Sequence, residues 1–349
     1  MTRKTGNKTK RTTLRDVANY TNVSPMTVSN VVNGKLHSAS KETIEKIEKA
    51  IKKLNYLPSA TSRKLRSSRE FSVGMVVMYD EPTYLVNPFV NHLVAGLSNH
   101  LSENNYTLTI QGAHPSRFES SSIFTIAGTD AMCAILCGPD IDRRKNIQHM
   151  LRMHQPVVIF QDTLSGIGRS NDIAVINQDD EEGGYLIASH VLSKGARKLF
   201  FLQSLMEWPA VERRKKGVMS AVKKTKNATC EVMRYAEEDD FSVIQKAVDK
   251  YFLENGKPDA IIGATDIIAI AALRYCQSKG YSVPENIMVT GFNGFASSQY
   301  TTPPLTTIKS PAYEMGQYAG SLILERLDSK KFAMRETKFP VTYVQGGSA

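Results

Sequence analysis

The stretch SPMTVSNVVN at positions 24–33 carries no Lys, Arg, Asp, Glu or His, although the whole chain has a formal net charge of +10. Its polar side chains are hydroxyls and amides, which both donate and accept hydrogen bonds. Pro25 and Met26 add only apolar contacts. These residue types predict recognition of a partner through hydrogen bonds and small apolar contacts, without any charge in the segment itself.

Two short helices are predicted to position these side chains. Thr13 and Asp16 form a capping box that begins the first helix, and Ser24 followed by Pro25 has the composition of a second helix start. The connecting segment TNV is so short that it predicts a helix-turn-helix. Residues at i, i+3 and i+4 spacing are expected to face inward: Leu14, Val17, Ala18, Val28, Val31 and Val32. Two packed helices without a recognition role remain the alternative.

A third helix is predicted to begin after the N-cap Ser40 and to end before Pro58. Its apolar face consists of Ile44, Ile47, Ala50, Ile51 and Leu54. Residues 59–70 then have the composition of a linker and hold one large apolar residue, Leu65, among basic side chains. Three helices and a basic linker therefore precede the rest of the chain.

The positive charge of the chain is confined to its first fifth. Residues 1–70 contain 16 Lys and Arg and 5 Asp and Glu, a net charge of +11, whereas the remaining residues contain 28 basic and 29 acidic side chains. A basic module attached to a neutral domain predicts binding to a polyanion such as nucleic acid. A solvated basic tail is the alternative, but the helix-turn-helix pattern favours the module.

From Phe71 onward, apolar strand-like runs such as FSVGMVVM and QPVVIFQ alternate with helical stretches. This alternation predicts parallel, doubly wound α/β sheets, and there are enough strands for two lobes. Ligands of open α/β sheets bind beyond the carboxyl ends of the strands. The candidates are therefore the residues that follow strands: Tyr79 to Asn87, Gln161, Asn177, Gln203 to Trp208, Thr265–Asp266 and Phe292–Phe295.

Several classes of protein have no support in the sequence. It contains no GxGxxG, P-loop or GxSxG motif, and its histidines are scattered without metal-binding pairs. Cys133 and Cys137 have no C-x-x-C spacing, so they are expected to be buried apolar residues rather than metal ligands. We expect no enzymatic activity, no cofactor and no metal. Neither a signal peptide nor a membrane-spanning run is recognisable, which predicts a cytoplasmic protein without a membrane partner.

Longer segments carry a resemblance to a known family. TLRDVANYTNVSPMTVSNVVNGK, followed by LNYLPSATSRKL, resembles the DNA-binding headpiece and hinge of the lactose/galactose/purine repressor family of bacterial regulators. The segments NPFVNHLVAG, EEGGYLIASHVLSKGARKLFFL, ATDIIAIAAL and VTGFNGFASSQYTTPPLTTIKSP resemble the regulatory core of that family. The resemblance covers the chain from about residue 12 to residue 345.

The resemblance implies an all-α helix-turn-helix headpiece and an α/β core of two Rossmann-like lobes of the periplasmic-binding-protein type, joined by three crossovers. It places the headpiece at 12–57, a hinge helix at 58–68 and the effector-binding and dimerisation core at 71–345. Within the core, the N-lobe is expected at about 71–175 and 307–328. The C-lobe is expected at about 176–306 and 329–345.

For DNA, the resemblance places the second helix in the major groove, with Pro25, Met26 and Asn30 as the main base-reading residues. Many family members carry arginine in place of Asn30. Because Arg favours guanine and Asn bonds adenine, an A·T base pair is expected under Asn30. The remaining DNA contacts are expected from Thr13, Ser24, Thr27, Ser29, Asn33, Arg63, Lys64 and Arg66.

The hinge adds a further implied contact. Leu65 matches the family's leucine that is wedged into the minor groove at the centre of the operator, where it unstacks a base step. Packing of Leu65 on the core is the alternative. The two half-sites of such an operator imply a homodimer of the protein.

The effector, by resemblance, is a small metabolite bound between the lobes. The matched positions are Phe89, Gln161, Trp208, Arg214, Thr265 and Asn293, with Asn177 as a further candidate. Gln161, Asn177 and Asn293 stand where the family often has aspartates, so negative charge is expected to be missing from the cleft beside Arg214. A neutral sugar is the favoured ligand, and a sugar phosphate is the alternative. Because of the neighbouring Arg213, a surface position for Arg214 also remains open, as does a core position for Trp208.

The resemblance and the residues together predict a sequence-specific DNA-binding transcriptional regulator, a repressor, controlled allosterically by a sugar or sugar derivative. Ligand binding is expected to release the protein from DNA. Corepression, in which the ligand strengthens DNA binding, is the alternative. A sugar-binding receptor and a sugar-metabolising enzyme are the alternative functions. Neither of them explains the headpiece.

Overall fold

The structure of the protein is a computed structural model. It describes residues 12–32, 37, 39–56, 69–79, 83–115, 118, 128–168, 170–235 and 241–349. The chain divides into two compact units, one up to Glu70 and one from Phe71 to the end. The predicted hinge at 58–68 lies outside the described residues, and so does Leu65.

The first unit contains the three predicted helices: α1 (Leu14–Thr21), α2 (Pro25–Val32) and α3 (Lys41–Lys53). The capping box is formed, because the Asp16 amide donates to Thr13 Oγ1 at 3.3 Å and the Thr13 amide donates to Asp16 Oδ2 at 2.7 Å. Asn22 then ends α1 in the left-handed conformation, with a φ of 54°. The helices share one small apolar core: Val17, Ala18, Val28, Val31, Ile47, Ala50 and Tyr56.

The second unit begins with a six-stranded parallel sheet in the order β11-β5-β4-β3-β1-β2. The strands are β1 (Ser72–Met78), β2 (Thr107–Ala113), β3 (Ala131–Ile135), β4 (Val157–Phe160), β5 (Ile173–Gln178) and β11 (Glu336–Phe339). Alternate residues of β1 enter two separate cores, Met75 on one face and Val76 on the other. Burial on both faces explains why the inner strands β1, β3 and β4 read as continuous apolar runs.

The helices α4 (Pro88–Glu103), α5 (Asp140–Leu151) and α10 (Ala312–Ser329) belong to this first lobe. Apolar residues of α4 and α10 pack on the core that contains Met75, and those of α5 pack on the core that contains Val76. The predicted α/β lobe with helices on both faces is thus confirmed.

The second lobe contains a four-stranded parallel sheet in the order β7-β6-β8-β9 and a separate antiparallel pair, β10 with β12. The strands are β6 (Lys198–Ser204), β7 (Thr229–Tyr235), β8 (Ala260–Gly263), β9 (Met288–Thr290), β10 (Thr307–Lys309) and β12 (Thr342–Val344). Its helices are α6 (Asp180–Ser193), α7 (Pro209–Lys224), α8 (Phe241–Asn255) and α9 (Asp266–Ser278).

The chain crosses between the lobes three times: after β5, after β10 and after β11. The first crossing lies close to its expected position, but the other two differ from the expected boundaries. Residues 307–309 pair with β12 in the second lobe, and residues 336–339 pair in parallel with β5 in the first. The sequence expectation had these segments in the opposite lobes. β11 is a short, half-exposed edge strand, so its composition does not indicate which sheet it joins.

Helices α6 and α7 approach each other very closely. A Cβ atom added at Gly217 would overlap the carbonyl oxygen of Glu181, and one at Gly184 would overlap the carbonyl oxygen of Arg214. Glycine at both positions therefore lets the two backbones touch. This contact brings the arginines of α7 against the first residue of α6, Asp180.

Candidate functional sites

The start of α2 presents the predicted recognition surface. Ser24 Oγ accepts a hydrogen bond from the Thr27 amide at 3.0 Å and so caps the helix. Pro25 and Met26 are exposed and Asn30 is half-buried. The hydroxyl of Thr13 is tied to Asp16 within the capping box. These positions leave the early residues of α2 accessible to a partner.

Ser29 differs from the sequence expectation. It was expected to face outward beside Asn30, but the structure buries it in the headpiece. Ser29 lies one turn before Val32 on the same face of α2. Because its side chain is small, it can be buried there together with the apolar residues of the helix. Four further predicted DNA contacts besides Leu65 lie outside the described residues: Asn33, Arg63, Lys64 and Arg66.

The second unit contains a cavity between the two lobes. It lies where the strands end, because Tyr79 follows β1, Gln161 follows β4 and Thr265 follows β8. Each lobe contributes six lining residues: Tyr79, Asn87, Phe89, Val90, Ile135 and Gln161 from the first, and Trp208, Ala210, Val211, Arg214, Thr265 and Asn293 from the second. The structure thus brings together all the predicted effector residues except Asn177.

Asn177 lies behind the cavity rather than in its lining. Its Nδ2 donates to the carbonyl oxygen of Asp162 at 2.9 Å, and its Oδ1 accepts from Arg213 Nη2 at 3.2 Å. Sequence reasoning did not single out Val90, Ile135 or Val211, because an apolar residue that faces a cavity has the same composition as one in a core.

Arg214 is buried, with 5% of its surface exposed, so the surface alternative is wrong. Its Nε donates to Asp180 Oδ1 at 2.9 Å, its Nη1 donates to the carbonyl oxygen of Ala264 at 2.7 Å and its Nη2 donates to Asn293 Oδ1 at 3.4 Å. The guanidinium also lies 3.8 Å from the ring centre of Phe292. Burial lowers the pKa of Arg214, while the charge of Asp180 opposes that shift.

The adjacent Arg213 joins the two lobes. Its Nη2 lies 2.7 Å from Gln161 Oε1 and 3.1 Å from Asp180 Oδ2. Gln161 belongs to the first lobe and Asp180 to the second. One guanidinium therefore links an amide at the end of β4 to a buried carboxylate on α6, a role that sequence reasoning missed.

Trp208 touches the cores of both lobes as well as the cavity. Its ring lies 5.7 Å from that of Tyr79, at an interplanar angle of 44°. The two alternatives for this residue are therefore not exclusive, because the same side chain packs on the cores and lines the cavity. A change in the spacing of the lobes would alter its surroundings.

Negative charge is missing from the described lining of the cavity, in line with the sequence expectation, but two carboxylates lie close to Arg214. Asp180 is fully buried beside both arginines, and Asp266 begins α9 close by. Neither carboxylate lines the main cavity. Burial raises the pKa of Asp266 to about 6, although hydrogen bonds from Thr307 and the Gly294 amide oppose the shift. Asp180 lies behind the lining and balances the charge of both arginines, whereas Asp266 lines a smaller pocket beside the main cavity.

Two features are absent from the residues that the structure describes. No cluster of His, Cys, Asp and Glu there is arranged to hold a metal ion. Among the same residues, no helix combines the length and the apolar character that crossing a bilayer requires.

Comparison with known proteins follows the division into two units. Residues 13–59 match the family model described as bacterial regulatory proteins, lacI family. Residues 188–349 match the periplasmic binding protein-like domain. The two models thus match the helix-turn-helix and most of the second lobe.

Two relatives match the chain over nearly its whole length. The chain is 28% identical over 325 residues to the HTH-type transcriptional repressor PurR of Aliivibrio salmonicida, a match that covers 93% of this chain and 94% of the relative. It is 26% identical over 317 residues to the ribose operon repressor of Haemophilus influenzae, which covers 90% of this chain and 92% of the relative. By name these relatives are transcription regulators, not enzymes.

A solved structure shares the fold. The lac repressor dimer bound to operator and the anti-inducer ONPF superposes with a TM-score of 0.80 at 22% identity, covering 97% of this chain and 99% of that one. The chain thus joins a domain that matches bacterial regulatory proteins of the lacI family to a periplasmic-binding-protein-like domain, and it is homologous to PurR and to the ribose operon repressor.

Proposed function

We propose that the protein is a transcriptional repressor that binds a two-fold operator as a homodimer and loses operator affinity when a small sugar-like metabolite binds between its lobes. The observation that carries the proposal is the cavity whose lining comes equally from both lobes, in a chain that begins with a helix-turn-helix. The proposed action is binding rather than catalysis. Its location is the bacterial cytoplasm, where operator DNA lies.

On the DNA side, Pro25, Met26 and Asn30 read bases in the major groove, and Thr13, Ser24, Thr27 and Asn33 contact phosphates. The net charge of +11 in residues 1–70 supports the phosphate contacts. Arg63, Lys64 and Arg66 add charge at the minor groove, and Leu65 acts there as the wedge. Because Ser29 is buried, its hydroxyl is the weakest candidate of this set.

The ligand acts through the spacing of the lobes. A ligand changes an equilibrium between open and closed lobes only if it binds the two states with different affinity. Phe89 and Gln161 approach the ligand from one lobe and Arg214 and Asn293 from the other, so their contacts depend on closure. Closure is then transmitted through the hinge to the headpieces of the dimer.

The proposal is tested by selecting binding sites for the full chain from fragmented bacterial DNA. A two-fold sequence is expected to be enriched, and Met26→Ala combined with Asn30→Ala is expected to abolish the enrichment. A control change at the exposed Glu254 of α8, Glu254→Gln, should leave it intact. A transport receptor or an enzyme of the same fold would bind or convert a sugar without enriching any DNA sequence, and that result would reject the proposal.

A further inference from the structure

The side-chain amide of Gln161 has only one possible orientation. Arg213 Nη2 lies 2.7 Å from one terminal atom of this amide, and a guanidinium can only donate hydrogen bonds. That terminal atom must be the oxygen, so the amide nitrogen is the atom left for the cavity. Gln161 is 5% exposed, and its Nε2 has no hydrogen-bond partner among the described residues. A buried donor lining a cavity without a partner indicates that a ligand supplies the acceptor.

Two further amides are held in the same way. Arg214 Nη2 donates to Asn293 Oδ1 at 3.4 Å, and the backbone amide of Phe89 donates to Asn87 Oδ1 at 3.0 Å. Both residues line the cavity, and in both the oxygen is occupied within the protein. Their amide nitrogens are therefore the groups left for a ligand, as in Gln161.

The backbone at two of these positions departs from ordinary conformations. Gln161 has a φ of 61° and Asn293 a φ of 120°, both in the region that favours glycine. A side chain held at such a φ costs stability, and residues of this kind concentrate at ligand-binding sites. The donors of the cavity are therefore positioned by the backbone as well as by the arginines.

The rest of the polar lining matches this pattern. Arg214 is the only lining residue with a formal charge, and no carboxylate is among the described lining residues. Thr265 accepts a hydrogen bond from the Ile268 amide at 3.4 Å, which leaves its hydroxyl proton for the cavity. The first turn of α7, which has no side-chain cap in the described structure, also reaches the lining at Ala210 and Val211. Its backbone N–H groups add positive potential.

From these orientations we infer that the effector is an anion: a compact molecule with a phosphate or carboxylate group that accepts hydrogen bonds from Gln161, Asn293 and Arg214. This inference rests on the proposed function and names the ligand class for the same cavity. A neutral sugar presents hydroxyls, each of which carries a proton that needs an acceptor. At the donor-lined end the amide oxygens of Gln161 and Asn293 already accept from the arginines, so donors outnumber acceptors there, and the oxygens of a phosphate or carboxylate only accept.

Arg213 is a positioning residue in this scheme. It does not line the cavity, but it fixes the amide of Gln161 and connects it to Asp180 in the other lobe. Without the guanidinium, the amide of Gln161 is free to turn its oxygen toward the ligand. Replacing Arg213 is therefore expected to change the preference between anionic and neutral ligands, which a merely structural role would not do.

The test compares matched probes on the full chain by thermal shift and by calorimetric titration. The pairs are glucose with glucose 6-phosphate, ribose with ribose 5-phosphate, and glucose with gluconate, and inorganic phosphate is the fragment probe. At least one anion is expected to raise the melting temperature and to bind about tenfold or more tightly than its neutral partner. Comparing the sugar phosphates with gluconate shows whether the cavity prefers a phosphate or a carboxylate.

Isosteric variants tie the effect to the cavity. Gln161→Glu and Asn293→Asp replace a donor by a charged acceptor and are expected to weaken the best anion about tenfold or more. Asn227→Asp makes the same chemical change at an exposed turn before β7 and should retain wild-type binding. Arg213→Met is expected to lower the ratio of anion affinity to neutral-sugar affinity.

Three results would overturn the inference: no anion in the set stabilises the protein, a neutral partner binds as tightly as its anion, or Gln161→Glu and Asn293→Asp respond to the anions like the wild type. Failure of the proposed function is a separate result, because it is seen as the absence of any selected operator. A protein that selects an operator and is released from it by a neutral sugar would reject only the anionic ligand.

Discussion

Arg214 Nε lies 2.9 Å from Asp180 Oδ1, and the two side chains are among the least exposed charged groups of the described residues. The same carboxylate also accepts a hydrogen bond from Arg213 through Oδ2 at 3.1 Å. One buried aspartate thus balances two arginines, one of which lines the cavity while the other crosses to the opposite lobe. Asp180 therefore couples the stability of the second lobe to the geometry of the ligand site.

Replacing Asp180 by asparagine is expected to destabilise the protein by about 3–5 kcal/mol, because it leaves two arginines without their buried counter-charge. The measurement is unfolding in urea followed by circular dichroism. Glu181→Gln is the matched control. Its ion pair with Lys216 is largely exposed, so a loss below about 1 kcal/mol is expected there. Equal losses for the two variants would contradict a special role for Asp180.

Gly217→Ala is expected to damage both stability and ligand binding. The added Cβ would overlap the carbonyl oxygen of Glu181, so α6 and α7 would have to separate and Arg214 would shift away from Asp180. A loss of about 2 kcal/mol or more is expected, in the range of overpacked cores. Gly168→Ala serves as the control, because a Cβ at that position meets no atom within 4 Å. Thermal unfolding of both variants makes the comparison.

Asp266 predicts a pH dependence of stability. Burial raises its pKa in the folded protein to about 6, above the value of about 3.9 for an unfolded chain. The folded state therefore holds this proton more tightly. The contribution of Asp266 to stability is complete below pH of about 4 and is lost as the pH rises to about 6, a change of about 3 kcal/mol.

The pH effect is isolated by comparing the wild type with Asp266→Asn, which has no titrating group at this position. As the pH rises from about 4 to about 7, the wild type should lose stability relative to this variant, because only the wild type releases the proton of Asp266. Asp142→Asn, at an exposed position of α5, should follow the wild type. Parallel pH profiles for the wild type and Asp266→Asn would contradict the raised pKa.

Asn30→Arg is expected to change operator preference at one base pair from A·T to G·C, because arginine bonds the two acceptors of guanine while asparagine bonds adenine. The effect should be about tenfold or more in relative affinity at that base pair alone. Binding-site selection with both proteins measures it. An unchanged preference, or an obligatory G·C pair for the wild type, would show that Asn30 does not read this base.

Much of the fold is predictable from local signals. The capping box at Thr13 and Asp16 and the apolar spacing of Val17 and Ala18 act within one or two helical turns, so the sequence alone indicates the helix-turn-helix. Strands buried on both faces read as apolar runs, which is why the α/β class and the residues that follow each strand could be named. Gln161, Trp208, Thr265 and Asn293 follow strands and reach one cavity for this reason, whereas Phe89 and Arg214 lie on helices and were expected there only from the family resemblance.

Other features depend on contacts between residues that are far apart in the chain. The pairing of β11 with β5 joins segments separated by more than 150 residues, and nothing in the composition of residues 336–339 specifies that partner. Arg214 lines the cavity, whereas Arg213 bonds Gln161 and Asp180. This difference likewise depends on how α7 packs against α6. Helical periodicity shows that the two arginines point in different directions, but not what each of them meets.

The amino-acid sequence by itself determined the headpiece, the two-lobed α/β class and the resemblance to the lacI family, because caps, periodicity and motifs are properties of neighbouring residues. The tertiary structure alone decided that Ser29 is buried, that Asn177 lies behind the cavity and that Asp180 balances both arginines. It also decided that the amide oxygens of Gln161 and Asn293 are hydrogen-bonded to arginines within the protein. A hydrogen bond orients a side chain only when folding brings its partner within reach, and no sequence spacing specifies that distance.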